Sequence, residues 1–366
     1  MGPVSHRTCT TIILFMLCIL FLTGLSGGCA KREVQKKTDE KQPVKSAWCV
    51  YWDQDGISRF EAAGNYRQQI LFACYYREDG SVYMPQKLKE MAENAASHRN
   101  SKVRRYLSFV NDVLYEDGTA AQKEAWIVQK LLADPGRQAA CAKEMLAVAK
   151  EAACQGVEVD FEKIRSDTLW QSYLSFIEIL QKLADEEQMA VRIVLGVDTP
   201  AEQLAFPEGP DYVVMAYNLY GYHSGPGPKA DIAFVREQTR RFLILPSLEI
   251  ALANGGFDWD ADGNVTEALT VTQAKEKAEQ YVCRPVRDEK SGALQYSYLA
   301  EDGWHTVWYA DEQTIQIWAD AVRETADRTE PKLADDTAEK TAGETEQKAV
   351  EEDSGKDSVE ISLWRL

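Results

Sequence analysis

Histidine is scarce in this chain, four in 366 residues, and no CxxC pair or Cys/His cluster occurs, so the ligand spacing of a zinc site is missing. The eight cysteines do not make a disulfide framework either. Past the N-terminal segment come Cys49, Cys74, Cys141, Cys154 and Cys283, an odd and scattered set. Most of them sit inside apolar runs such as AWCVYW and LFACYY, where a thiol behaves as a small core residue. Positive charge is short as well: 41 Lys and Arg stand against 58 Asp and Glu, a net charge of -17. A phosphate binder needs a clustered basic face to release counterions, and none is present. No metal, cofactor or nucleic-acid partner is therefore expected.

What is present begins with an address. After His6 and Arg7 comes the apolar run Thr11 to Leu25, then Ser26, Gly27, Gly28 and Cys29. Residues 1–29 read as a signal peptide, the run being somewhat short to span ~30 Å of hydrocarbon. The segment resembles a bacterial lipoprotein signal. That resemblance implies lipidation of Cys29 and a place on the extracellular face of the cell membrane; plain secretion or an uncleaved anchor are the alternatives. The polar residues 30–46 read as a tether. A second special stretch, Thr325 to Asp357, is acidic and almost free of large apolar residues. It cannot bury enough surface to offset ordering entropy and reads as a disordered insert before the last strand.

The body, residues 47–366, has enough apolar residues, at 45% hydrophobic overall, to fill a sizeable core. Short β-rich runs alternate with helical patterns, the mark of parallel strands joined by crossover helices. The expected strands are Ala47 to Trp52, Gln69 to Tyr76, Arg104 to Val110, Gly156 to Glu162, Ala190 to Val197, Tyr212 to Asn218, Phe242 to Glu249 and Val359 to Leu366. Between them lie helical patterns at Pro85 to Ala96, at Gln122 to Ala153 with a break at Asp134-Pro135-Gly136, and at Asp167 to Glu186. Eight such repeats predict an α/β fold, a (β/α)8 TIM barrel. The rhythm breaks between about 255 and 306, read as a small α+β insertion after the seventh strand.

In a parallel barrel the chemistry sits at the C-terminal ends of strands. The fourth strand, GVEVDFE, alternates Glu158, Asp160 and Glu162 with Val157, Val159 and Phe161, and a period of two puts the three carboxylates on one face. Inside a barrel, acids ~7 Å apart cannot all ionise freely, which raises at least one pKa. Glu162, outermost, is then the proton donor; on an open antiparallel strand the same acids would only face water. The sixth strand ends in Met215, Tyr217 and Asn218. A tyrosine there either binds substrate or packs with a wet hydroxyl, and Trp364 in the last strand reads by default as core. Together these acids, Tyr217 and Trp364 would suit a pyranose ring.

Gln155-Gly156-Val157-Glu158-Val159-Asp160-Phe161-Glu162 resembles the Asp-Gly-x-Asp-x-Asp-x-Glu signature of glycoside hydrolase family 18, with Gln155 and Glu158 departing from it. Met215 to Asn218 is similar to that family's Met-x-Tyr-Asp, and Ser362 to Leu366 to its last strand. Val307 to Ile315 resembles a segment of the spore-germination, cortex-lytic branch. The resemblance implies a retaining glycosidase acting on β-linked N-acetylglucosamine glycans such as peptidoglycan, chitin-type polymers or N-glycans, as a monomer. Glu162 would be the acid and Asp160 would orient the substrate's acetamido group, itself the nucleophile. Tyr217 would bind the intermediate, Met215, Asn218 and Glu158 would shape the site, and Trp364 would lie under the sugar. Trp52 and Tyr76, closing the first two strands, are further candidates for the sugar-facing wall. The alternative is a catalytically silent carbohydrate-binding barrel.

Overall fold

A computed structural model describes residues 44–53, 55–98, 102–329 and 359–365. Eight parallel strands, numbered here in barrel order, are β1 (Ser46–Val50), β2 (Gln68–Arg77), β3 (Arg104–Leu114), β4 (Gly156–Asp160), β5 (Ala190–Leu195), β6 (Asp211–Met215), β7 (Leu248–Ala253) and β8 (Glu360–Trp364). Each pairs with its sequence neighbour, and β8 pairs with β1 to close the barrel. The eight strands are the eight read from the sequence, with one shifted. The expected run Phe242 to Glu249 is divided, because Phe242 ends the helix Ile232–Phe242 and β7 begins only at Leu248. Pro246 lies between them, and proline cannot donate to the ladder of a central strand.

The helices form where the sequence caps them. Asp134 accepts from the backbone of Arg137 with Pro135 in the first turn, and so separates Ala125–Leu131 from Pro135–Glu151. Ser166 caps Asp167–Glu186, which buries Leu169, Tyr173, Phe176, Ile177 and Leu180 on one stripe. Val157, Val159 and Phe161 of β4 face that stripe, in the layer between strands and helices. After β7 comes the insertion, a five-stranded antiparallel sheet spanning 255–310 with the helix Val271–Gln280 on one face, four residues longer than expected. The helix Glu312–Thr329 follows and runs into the acidic stretch expected to begin at Thr325. The rest of that stretch, and the N-terminal signal with Cys29 and most of its tether, lie outside the described residues.

Inside the barrel, Trp48, Ile70, Tyr106, Val194, Val213, Ala251 and Ala253 form a second apolar layer. Gly156 is required there, because a Cβ would stand 2.5 Å from the Tyr106 ring. Set among these side chains is a charged cluster centred on Arg192 of β5, which is fully buried. Its guanidinium reaches Glu158 at 3.0 Å, Glu249 at 2.7 Å and the side-chain Oε1 of Gln68 at 2.6 Å. Trp48 donates to the other Glu158 oxygen at 2.7 Å, while Ser46 and Ser362 donate to Glu249. Burial pushes Glu158 upward and Arg192 pulls it back only in part. Burial acts on Glu249 too, but there Arg192 and Lys45, at 3.8 Å, outweigh it and hold that carboxyl below its usual range.

Substituting Arg192→Met leaves two buried carboxyls without their shared cation, and unfolding free energy should fall by about 3–5 kcal/mol near neutral pH. Both acids would then bind protons more tightly in the folded than in the unfolded chain, so the deficit should shrink as the solution is acidified. Urea unfolding of variant and parent, at about pH 7 and about pH 5, measures both effects; a deficit independent of pH would contradict this account.

Candidate active site

The cleft at the C-terminal end of the barrel has a volume of about 540 Å³ and is lined by Asp160, Glu162, Met215, Tyr217, Asn218, Trp364 and Trp52, seven residues expected from sequence. Three turns place them. Trp364 ends β8, and Glu162 and Tyr217 each lie two residues past the ends of β4 and β6; the residue after each of the three, Lys163, Asn218 and Arg365, has a positive φ of 59°, 66° and 57°. A left-handed residue turns the chain away at once, so the side chain before it is left crowning the strand.

Asp160 ends β4 with its side chain inside the barrel. Desolvation, then the neighbouring Glu162 and Glu158, push its carboxyl well above the usual range, and its buried Oδ1 has no hydrogen-bond partner. Glu162 lies two residues further out, half-buried. Its backbone is gripped from both sides by the buried Asn111 of β3: the Glu162 N–H donates to Asn111 Oδ1 at 2.9 Å, and Asn111 Nδ2 donates to the Glu162 carbonyl at 3.0 Å. Lys123 Nζ stands 2.7 Å from Glu162 Oε1 and 2.8 Å from Oε2. Beside them Asp112 is raised by desolvation, an effect that bonding to the Lys123 backbone opposes.

Opposite the acids is an aromatic floor. Tyr217 lies nearly parallel to Trp364, with centroids 6.4 Å apart and planes at 19°, and Trp364 packs edge-on against Phe72 at 4.9 Å. Tyr217 is buried, and desolvation followed by the charges of Asp160 and Glu162 pushes its phenol well above its usual value. It therefore stays a hydrogen-bond donor at any working pH. Trp52, 48% exposed, extends the apolar wall outward from Tyr51 and Phe72. The Tyr51 and Tyr75 hydroxyls meet at 2.6 Å on the rim. Such a site offers two carboxyls, a neutral phenol and stacking surface to a ring with polar edges. Among the described residues, no three His, Cys, Asp or Glu side chains converge to hold a metal ion.

Two expected residues are placed elsewhere. Glu158 does not line the cleft; it is fully buried beneath it, against Trp48 and Arg192. The signal for this was available, since Glu158 and Arg192 are direct partners in the β4–β5 register, and an arginine inside the apolar run AVRIVLGV calls for a buried acid. Tyr76 is also fully buried, packed outward against Phe161 and facing the Cys141 thiol, while Tyr75 takes the cleft position. The β2–β3 register shifts on both sides of Cys74, which exchanges the inner and outer faces, so an alternation counted from Ile70 fails beyond Phe72. Asn111, Asp112 and Lys123 were not expected, because nothing in a polar strand end and a loop marks them locally.

No family model matches the sequence, and no curated protein sequence does. Solved structures do. The fold is similar to the spore cortex-lytic enzyme SleL of Bacillus cereus at 16% identity, over 89% of this chain and 71% of that one, with a TM-score of 0.66. It is similar to a chitinase of Chromobacterium violaceum at 16% identity, over 77% and 98% of the two chains, with a TM-score of 0.61. A glycoside hydrolase family 18 chitinase of Cycas revoluta, solved in complex with (GlcNAc)3, matches at 13% identity over 77% and 92%, with a TM-score of 0.60. At these identities the likeness is one of fold: this chain is built on the (β/α)8 barrel that family 18 glycosidases use.

Proposed function

We propose that this protein is a retaining glycosidase that cuts glycans beside β-linked N-acetylglucosamine by substrate-assisted catalysis. The observation that carries the reading is the pair Asp160 and Glu162 at the mouth of the barrel, the first with a buried oxygen left unpartnered and both facing the Tyr217–Trp364 floor. A sugar ring stacked on Trp364 has its anomeric carbon beside the acids. Glu162 protonates the glycosidic oxygen while the acetamido carbonyl oxygen attacks the anomeric carbon from the other side. Asp160 receives the acetamido N–H and holds that group for attack, and Tyr217 donates to the oxygen that forms the new ring. Water then opens the cyclic intermediate with net retention. The similar folds, a chitinase holding (GlcNAc)3 and a spore cortex-lytic enzyme, support an acetamido glycan as substrate class. We place its action at the extracellular face of the membrane through a lipid on Cys29, or in the secreted form.

One observation favours the second reading, a barrel that binds glycan without cutting it: Glu158 is tied to Arg192 and Trp48, so it does not lie against Asp160 as a partner for its proton. Mass detection of products from peptidoglycan, chito-oligosaccharides and N-glycans separates the two. Glu162→Gln should cut turnover by about 10²–10⁴-fold with glycan affinity kept. A wild type that binds these glycans and releases nothing would establish the binding barrel instead. For the anchor, Cys29→Ala should move the protein from the membrane fraction of its host to the soluble one, and should abolish palmitate labelling. Labelling that persists in that variant would refute lipidation at Cys29.

A further inference from the structure

Lys123 reaches the acid by an indirect route. Beyond β3 the chain turns at Tyr115–Thr119, where Asp117 accepts from the Thr119 backbone at 2.9 Å, and Ala120–Ala121 pairs back on Leu114 and Val113. The returning strand brings Lys123 above the end of β3, where its N–H donates to Asp112 Oδ1 at 2.9 Å and the next residue's N–H to the Asn111 carbonyl at 2.8 Å. Lys123 itself is held at φ 57°, a left-handed conformation costing a non-glycine residue about 1 kcal/mol or more. Such a cost persists only where surrounding contacts impose it, and here they aim one ammonium at both oxygens of one carboxyl. Asn111 and Asp112 thus hold the acid and its counter-ion from a single strand end.

With an ammonium against both of its oxygens, Glu162 has neither one free to meet a glycosidic oxygen. Unlike Arg192, however, this cation is displaceable, since its side chain is 42% exposed and that of Glu162 is 24% exposed. Resting on the glycosidase reading above, we propose that Lys123 is a positioning residue, a counter-ion that holds both oxygens of Glu162 in the free enzyme and is displaced when glycan enters. When Nζ withdraws into water, Glu162 takes one proton from solvent and passes it to the departing glycosidic oxygen. The ammonium keeps its own three protons throughout. Other ionisable groups near Glu162 are Asp160 from β4, Asp112 from β3 and Tyr217 beyond the end of β6, with Lys163 next to the acid in the chain. Among the described residues Lys123 is the cation paired with Glu162, and removing it removes that contact.

The test compares Lys123→Met, which keeps the length and loses the charge, with Lys123→Arg, which keeps the charge. With 4-methylumbelliferyl chitobioside as substrate, the alkaline limb of kcat/KM should move to higher pH in Lys123→Met, because the positive charge that opposes protonation at this site is gone. KM should fall by about two- to fivefold, the cost of displacing an exposed pair. In Lys123→Arg the limb should stay with the wild type. A limb unmoved in Lys123→Met, or moved equally in both variants, would overturn the proposal. A second readout needs no turnover: carbodiimide couples an amine to protonated carboxyls, and peptide mass mapping should show Glu162 labelled faster near neutral pH in Lys123→Met than in wild type or Lys123→Arg. Equal labelling in all three would reject the counter-ion role. If the wild type cleaves none of the glycans, the glycosidase reading fails, and the labelling alone decides what Lys123 does.

Discussion

Three carboxylates stand in one column because β4 alternates strictly and the barrel is closed. Their charges cannot be left uncompensated in so narrow a space. What the rest of the molecule supplies is a graded answer. Glu158, deepest, has the fully buried Arg192 and the Trp48 indole. Asp160, in the middle, has no cation in contact and a free oxygen, and its proton affinity rises accordingly. Glu162, at the mouth, has the half-exposed Lys123. Compensation runs from permanent through absent to displaceable along a single strand, and a reacting group can be built only where it is not permanent.

This grading also bears on where the fourth strand differs from the glycoside hydrolase family 18 signature that it resembles. A glutamate at position 158 is one methylene longer than an aspartate, and Arg192 lies directly across in register, so the carboxyl reaches sideways to β5 and leaves Asp160. Asp160 keeps its raised proton affinity all the same, because desolvation is the largest cause and does not depend on sharing a proton with the residue below. Glu158 is part of the ion cluster that also binds Gln68, Glu249 and the serines of β1 and β8. A group that ties six strands together serves the barrel, not the substrate.

How much of this was legible follows from the range of each physical signal. Period-two alternation is local, and it puts Asp160, Glu162, Met215 and Tyr217 on inner faces, where all four line the cleft; the ladders of β4 and β6 run without a register shift as far as Asp160 and Met215. Tyr76 was expected at the cleft because it closes its strand, and that ground failed where the register shift between β2 and β3 exchanged the faces of β2. The start of β7 was misread although Pro246 marked it, because the apolar content of Phe242 to Leu245 fits a helix end as well as a strand. Asn111 and Lys123 left no trace: each acts through a contact across 39 to 51 residues, with side chains common on any surface.

Arg192 and Lys123 show why charge alone says little about role. Each is a cation within 3.0 Å of a glutamate from the β4 column. Removing Arg192 from its partners would expose buried charge to a medium that cannot solvate it, so the pair is fixed for as long as the barrel is folded. Lys123 gives up one hydrated contact for another when it swings away, at a cost of about 1 kcal/mol or less for a pair so accessible to water. The depth of burial therefore divides the two: the same ion-pair chemistry builds a scaffold at the bottom of the column, and at its top becomes something that an incoming ring can undo.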